Sequence, residues 1–207
     1  DAVFEEMLEQ TAFSLRTALS ETVPDGRYRF SDCLDGDGHN DQGYAVSLTM
    51  EKLGEDISLD FTESTNQAKG AINFKMDKSV PANMLGLLLT GEDTSVQMNA
   101  GFERALKSVK LRAGSIVDPV YPAAVGMRSH TMVRVTGSLL GVLGRASDGQ
   151  VSAASPVYVL YYLRSHDRLR GSYELCIEGL GVGFGARTFA DGIDAVYFVA
   201  QKNYPVE

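Results

Sequence analysis

Between Arg27 and Phe61 the chain alternates apolar and polar residues three times, in RYRFSDCL, GYAVSLTMEKL and DISLDFTES. No other feature narrows the fold so far. A period of two puts every second side chain on one face, so each segment reads as a strand with one side buried. The Asp/Gly-rich loop DCLDGDGHNDQG separates the first two, and Gly54 marks a hairpin between the second and third. The expectation is a three-stranded meander whose apolar face, carrying Ile57, Leu59 and Phe61 in its last strand, must be covered.

Covering elements are available. Residues 1–20 place Phe4, Leu8, Ala12, Leu15 and Leu19 at three- and four-residue steps, with Met7 and Ala18 widening the stripe. That spacing predicts an amphipathic helix, stopped by Pro24-Asp25-Gly26. SVPANMLGLLLTG, from Lys78 to Thr90, reads as a second helix with Pro81 in its first turn. Residues 125–146 read as a third, with Met127, Met132, Val135, Leu139, Val142 and Leu143 at helical spacing and four glycines against it. SVKLRAGSIVDPVYP predicts a short strand, a turn at Gly114 and an extended Pro-bounded segment. VYVLYYLRSHD, GSYELCIEGLGVGFGAR and IDAVYFVAQ make the last third β-rich. No repeat or linker interrupts the 207 residues, so the fold expected is one α+β unit over 1–207: a mainly antiparallel sheet, an N-terminal helix and one or two further helices.

Charge removes several function classes. Residues 1–63 hold 15 acidic against 4 basic residues, a balance of −11, and the rest of the chain brings the total to −8. An acidic front end repels phosphate backbones, which argues against nucleic acid. No basic amphipathic helix suits a membrane surface, and no apolar run approaches the roughly 20 residues of a span. The opening DAVFEEMLEQ has neither a basic n-region nor an unbroken apolar h-region, so no signal peptide is expected and the cytoplasm is the expected compartment. Cys33 and Cys176 are far apart and flanked by apolar residues, which reads as two reduced, buried thiols. Three histidines are few for a self-contained metalloenzyme.

Three polar constellations remain. Asp32, Asp35, Asp37, His39 and Asp41 begin like a Ca²⁺-binding loop, but His39, Asn40 and Val46 stand where such a loop needs an oxygen ligand, a glycine and a glutamate. An acidic turn is the better reading. Gly179, Gly181, Gly183 and Gly185 form a ladder, and with Ala186 formally satisfy a dinucleotide fingerprint; the following ARTFADGIDAVYFV reads as loop and strand, where the fingerprint needs a helix. Glycines at alternate positions instead bare one face for a neighbouring backbone or a substrate. In DFTESTNQAKGAIN, polar groups crowd past a strand end, where sites often form, although side-chain-to-backbone bonds in a turn would use the same residues. No Ser, Cys or metal-protease signature occurs.

Taken in order, DFTESTNQAKGAIN, NAGFERALKSVKLRAGSIVDPVYPAAV and GLGVGFGARTFADGIDAVYFVAQKNYPVE, with PDGRYRFSDCLDGDG ahead of them, resemble the hydantoinase B family. That family includes the second subunit of N-methylhydantoinase, the C-terminal part of 5-oxoprolinase and subunits of acetone and acetophenone carboxylases. The resemblance implies the C-terminal part of a longer B-type subunit, working with an A-type ATP-using subunit or domain on a small-molecule substrate. It implies cyclic-amide hydrolysis, with ketone carboxylation or a non-catalytic assembly role as alternatives; the segment alone would be inactive. ATP and a divalent metal are expected elsewhere in the complex. The family's His/Asp-rich metal motifs belong to an N-terminal half with no counterpart here, so no metal ligand is assigned. The position after Asp60-Phe61-Thr62, commonly glycine in the family, is Glu63. Expected catalytic contributors are Asp60, Thr62, Gln67 and Asn73; expected substrate contacts are Arg187, Asp191, Gly181 and Gly183. Arg187 can grip a phosphate or carboxylate bidentately, or pair with Asp191 or Asp194.

Overall fold

The computed structural model describes residues 2–91, 93, 95–153, 159–181 and 183–194. Helix α1 (Ala2–Thr22) is followed by the strands β1 (Gly26–Leu34), β2 (Tyr44–Leu53) and β3 (Asp56–Asp60). β1 pairs antiparallel with β2, Phe30 opposite Leu48, and β2 pairs antiparallel with β3, Met50 opposite Leu59. The meander is as the period of two predicts. Helix α2 (Ser79–Thr90) and the short α3 (Gly101–Arg104) then lead to β4 (Ser108–Lys110), which joins the far edge parallel to β3, Leu59 opposite Val109. Helix α4 (Arg128–Ala146) follows. The sheet order is β1-β2-β3-β4.

β2 is the central buried strand: Tyr44, Val46, Leu48 and Met50 are all inside, with Ile57, Leu59 and Phe61 beside them. The helices supply Leu15, Leu19, Leu85, Leu139, Val142 and Leu143 to the same core. In α1 the expected stripe is buried only from its middle onward. Ala12, Leu15 and Leu19 are inside, whereas Phe4 is 65% exposed; the first turns of α1 meet α3 through the Glu5–Arg104 ion pair, and the side that carries Phe4 is left open.

The glycines of α4 count against a helix on propensity alone, yet they let it seat. It lies against β1 and β2. A Cβ at Gly137 would fall 2.1 Å from an Asp32 carboxylate oxygen, and one at Gly141 would fall 2.1 Å from the Phe30 ring. The two glycines sit one turn apart and receive two inward side chains of β1. Asp32 is met there by Arg134, 3.0 Å away, and Ser138 donates to the Val46 carbonyl at 2.9 Å.

The cysteines depart from expectation, since both are exposed. In β1 the inward positions are Tyr28, Phe30, Asp32 and Leu34, so the period of two turns Cys33 outward; apolar sequence neighbours say nothing about the face. Cys176 lies on a separate antiparallel ribbon of β5 (Val159–Asp167) and β6 (Ser172–Leu180), outside the main sheet. His166 is exposed near the ribbon's turn, and its ring lies 4.9 Å from that of Tyr173. The strand expected in IDAVYFVAQ falls, from residue 195 on, outside the described residues. Among the described residues no helix is long and apolar enough to cross a membrane.

Candidate functional site

The polar residues past β3 are brought together, and most of their groups are satisfied within the fold. Asp60 accepts from the Thr62 amide at 2.9 Å and from its hydroxyl at 2.6 Å. Burial works against the Asp60 carboxylate, but these bonds outweigh it and hold the group below the usual carboxylate range. Gln67 pairs with the backbone of Val120 through both ends of its amide, at 3.1 and 2.8 Å. Asn73 is fully buried. Its oxygen accepts from the Ala68 amide at 2.7 Å, and its nitrogen donates to the carbonyls of Ala68, Gly70 and Ala124 at 2.9, 3.1 and 2.9 Å.

Arg112, which no spacing in the sequence singles out, closes this turn. Its guanidinium donates to the carbonyls of Thr62 and Ser64 and to Asn66 Oδ1, at 3.0, 2.6 and 3.0 Å. A single arginine beyond a short strand carries no signature, because its partners lie about 50 residues earlier.

The acidic loop of residues 31–42 is a turn, but it is not simply a solvated one. Asp37 is buried and accepts from the amides of His39, Asn40 and Gly70 and from the Tyr44 hydroxyl, at 2.9 to 3.0 Å. The Gly70 amide above all, against the cost of burial, holds the Asp37 carboxyl well below the usual range. Gly70 must be glycine here, since a Cβ would lie 1.9 Å from the Asp37 carbonyl oxygen.

The glycine ladder leads elsewhere. Gly179 lies in β6, and past Gly181 the chain folds back on itself: Phe184 donates to Ile193 at 2.7 Å and Arg187 to Ala190 at 2.8 Å. Gly183 has open space around it, and Asp191 is exposed. Among the described residues no ion pair joins Arg187 to Asp191 or Asp194. The Arg187 guanidinium instead lies over the Phe189 ring, 5.9 Å from its centre. Thr188 and Ala186 tie this segment to Gly149 and Ala153 just past α4, at 3.1 and 2.9 Å.

Arg187 borders two clefts. One, of about 710 Å³, is lined by the last turn of α2 (Leu87 to Thr90), Gln150, Ser152 and Phe184. The other, of about 410 Å³, lies over Gly141 and Gly144 of α4. The first falls in the size range of small-molecule sites and combines apolar walls with one cation, Arg187, one carboxylate, Asp93, and a few hydrogen-bonding groups. Of the residues singled out in the sequence, Arg187 alone lines it.

Asn73 sits at the opposite end of α4 from Arg187, whereas Asp60 lies at the register of Thr49 and Arg29, and the Arg29 carbonyl accepts from Arg145 in the last turn of the helix. Thr131, in its first turn, donates to the Ile72 carbonyl, while Gly144 borders the Arg187 clefts. Thirteen residues at about 1.5 Å each separate them by about 20 Å. Asn73 and Arg187 cannot act on one small substrate within this chain.

No group of three or more His, Cys, Asp or Glu among the described residues could hold a metal ion. Both oxygens of Asp37 are taken by protein donors. The glycine ladder runs into a folded-back loop, where a phosphate-binding loop would need a helix.

The described residues thus form a mainly antiparallel sheet covered by a glycine-notched helix, with two clefts at Arg187. The chain belongs to the hydantoinase B/oxoprolinase family, whose sequence profile matches residues 1–207. Among solved structures it is similar to an ATP-dependent caprolactamase from Pseudomonas jessenii (23% identity, 96% of this chain and 34% of that one, TM-score 0.74). It is also similar to the nucleotide-free structure of acetone carboxylase, from work on ATP-dependent acetone carboxylation (17% identity, 91% of this chain and 27% of that one, TM-score 0.74). At these identities the likeness concerns the fold. The chain spans about a quarter to a third of the solved chains it matches. No curated protein matches it by sequence.

Proposed function

We propose that this chain is part of an ATP-dependent cyclic-amide hydrolase, acting as one domain beside an A-type, ATP-using subunit or domain in the cytoplasm. The observation that carries this reading is the family match over all 207 residues. The chemistry explains the division of labour. Amide resonance makes a lactam carbonyl a poor electrophile, and transfer of phosphate to its oxygen, driven by ATP, removes that protection. The activated species must then be kept from adventitious water, which favours a compartment walled by several chains. The 710 Å³ cleft supplies one such wall, with Arg187 placed to hold a phosphoryl or carboxylate oxygen and Gly181, Gly183 and Asp191 on the segment leading past it. Asp60, Thr62, Gln67 and Asn73 then act as a brace and as no part of that compartment.

Ketone carboxylation is the second reading, favoured by the equal structural likeness to acetone carboxylase. The full subunit, reconstituted with its ATP-using partner, separates the two. Ring opening of a lactam that requires ATP and ignores bicarbonate supports the hydrolase; ketone consumption that requires both supports the carboxylase. If Arg187→Gln turns over like the parent in either assay, this chain contributes structure and no substrate contact.

A further inference from the structure

The smaller of the two clefts at Arg187 has a chemistry of its own. Its floor runs along α4 from Leu140 to Gly144. Gly141 is filled by the Phe30 ring, but Gly144 is open: a Cβ there would meet nothing nearer than Val151, 3.7 Å away. Val151 and Ala153 continue the apolar lining. Two guanidiniums border this small space, Arg145 and Arg187, and no carboxylate is among the residues that line it. Each is held on an aromatic ring, Arg145 at 5.5 Å from the centre of Phe30 and Arg187 at 5.9 Å from that of Phe189. Arg145 also donates to the Arg29 carbonyl through one nitrogen. Among the described residues neither arginine forms an ion pair, and Asp148, next in the chain to Gly149 of the lining, pairs with neither. In a chain with 27 acidic residues against 19 basic ones, a cleft with two cations and no carboxylate runs against the composition. Two like charges at one partly apolar cavity repel each other, and an anion placed between them removes that cost.

We infer that this 410 Å³ cleft binds a small carboxylate on a compact apolar body, its charge between Arg145 and Arg187 and its body over Gly144. The volume lies in the range of small-molecule sites, and apolar walls with a few charged groups at the rim are their usual construction. A carboxylate offers two oxygens to guanidinium forks, which a neutral amide or a backbone carbonyl does not. The apolar floor selects the body: a bare inorganic oxyanion would leave it in contact with water. This site goes beyond the reading of the reaction, which places Arg187 on the larger cleft and gives Arg145 no part.

The test uses the full B-type subunit, with benzoate as the probe and ligand-observed NMR as the readout. The parent should bind benzoate saturably, and more tightly than benzamide or inorganic phosphate. Arg145→Gln should weaken benzoate about tenfold or more, the loss of a charge-assisted contact. Gly144→Leu should fill the floor and abolish binding while the circular dichroism spectrum stays that of the parent. Arg168→Gln, the same loss of charge at an exposed turn of the ribbon, should leave the Kd within about twofold. No saturable binding of benzoate by the parent overturns the proposal, as it must if another part of the polypeptide fills the cleft. So does a Kd for Arg145→Gln and Gly144→Leu equal to the parent's, or inorganic phosphate bound as tightly as benzoate. Turnover plays no part in this readout. A subunit that binds benzoate through Arg145 but opens no lactam and consumes no ketone keeps the site and refutes the functional reading instead.

Discussion

The two ends of α4 solve opposite problems with similar residues. At its N-terminal end polar side chains turn inward: Asn73 is fully buried with four bonds, and Asp37 accepts four. At its C-terminal end Arg187 faces open clefts, and its segment is held by a few backbone bonds. A polar cluster in a loop is therefore no guide to chemistry until its partners are known. Groups satisfied by the chain itself hold shape, and those left facing a cleft are free to meet a ligand.

The comparison is most exposed to failure at Asn73. Replacing it with alanine should cost about 2–4 kcal/mol, since several backbone groups lose buried partners at once. Denaturant unfolding with a loss below about 1 kcal/mol would show that this end is not a brace. Gly141→Ala should cost about 1–3 kcal/mol by driving a methyl into Phe30, and Gly144→Ala, with its nearest neighbour 3.7 Å away, far less. Equal losses for the two would mean that α4 shifts to make room.

Asp37 gives a pH signature. Its folded carboxyl lies below its unfolded value, so the stability it confers is present above the ordinary carboxylate range and disappears as pH falls toward the lowered value. Asp37→Asn should therefore flatten the loss of Tm between about pH 5 and pH 3, and parallel Tm curves for the two proteins would contradict the assignment. Smallest in stability and largest in function is Arg187→Gln: within about 0.5 kcal/mol of the parent in unfolding, but roughly tenfold or more lower in kcat/KM of the assembled enzyme. A variant that unfolds early and turns over normally would invert the contrast between the two ends.

The meander was legible because its signal is local: alternation and a hairpin glycine lie within each segment. So were α1, α2 and α4, from their apolar spacing. β4 stands at the limit, three residues whose partner strand lies 50 positions back. The same distance hides the brace. Asp37 looks like a turn former in an acidic loop until Gly70, 33 residues on, is seen to donate to it. Gly137 and Gly141 read as defects in a helix because their reason is on another element, in Phe30 and Asp32. Cys33 was read as buried from its neighbours, although the alternation already visible in β1 faces it outward.

The paired notches also limit how α4 can move. A slide of one turn, about 5.4 Å, would press Val133 or Arg145 against the side chains that Gly137 and Gly141 now admit. The helix therefore cannot work as a piston. A change at the N-terminal end of α4 can reach the Arg187 cleft through rotation of the whole unit or rearrangement of the chain beyond Ala146, but not by pushing along the helix axis.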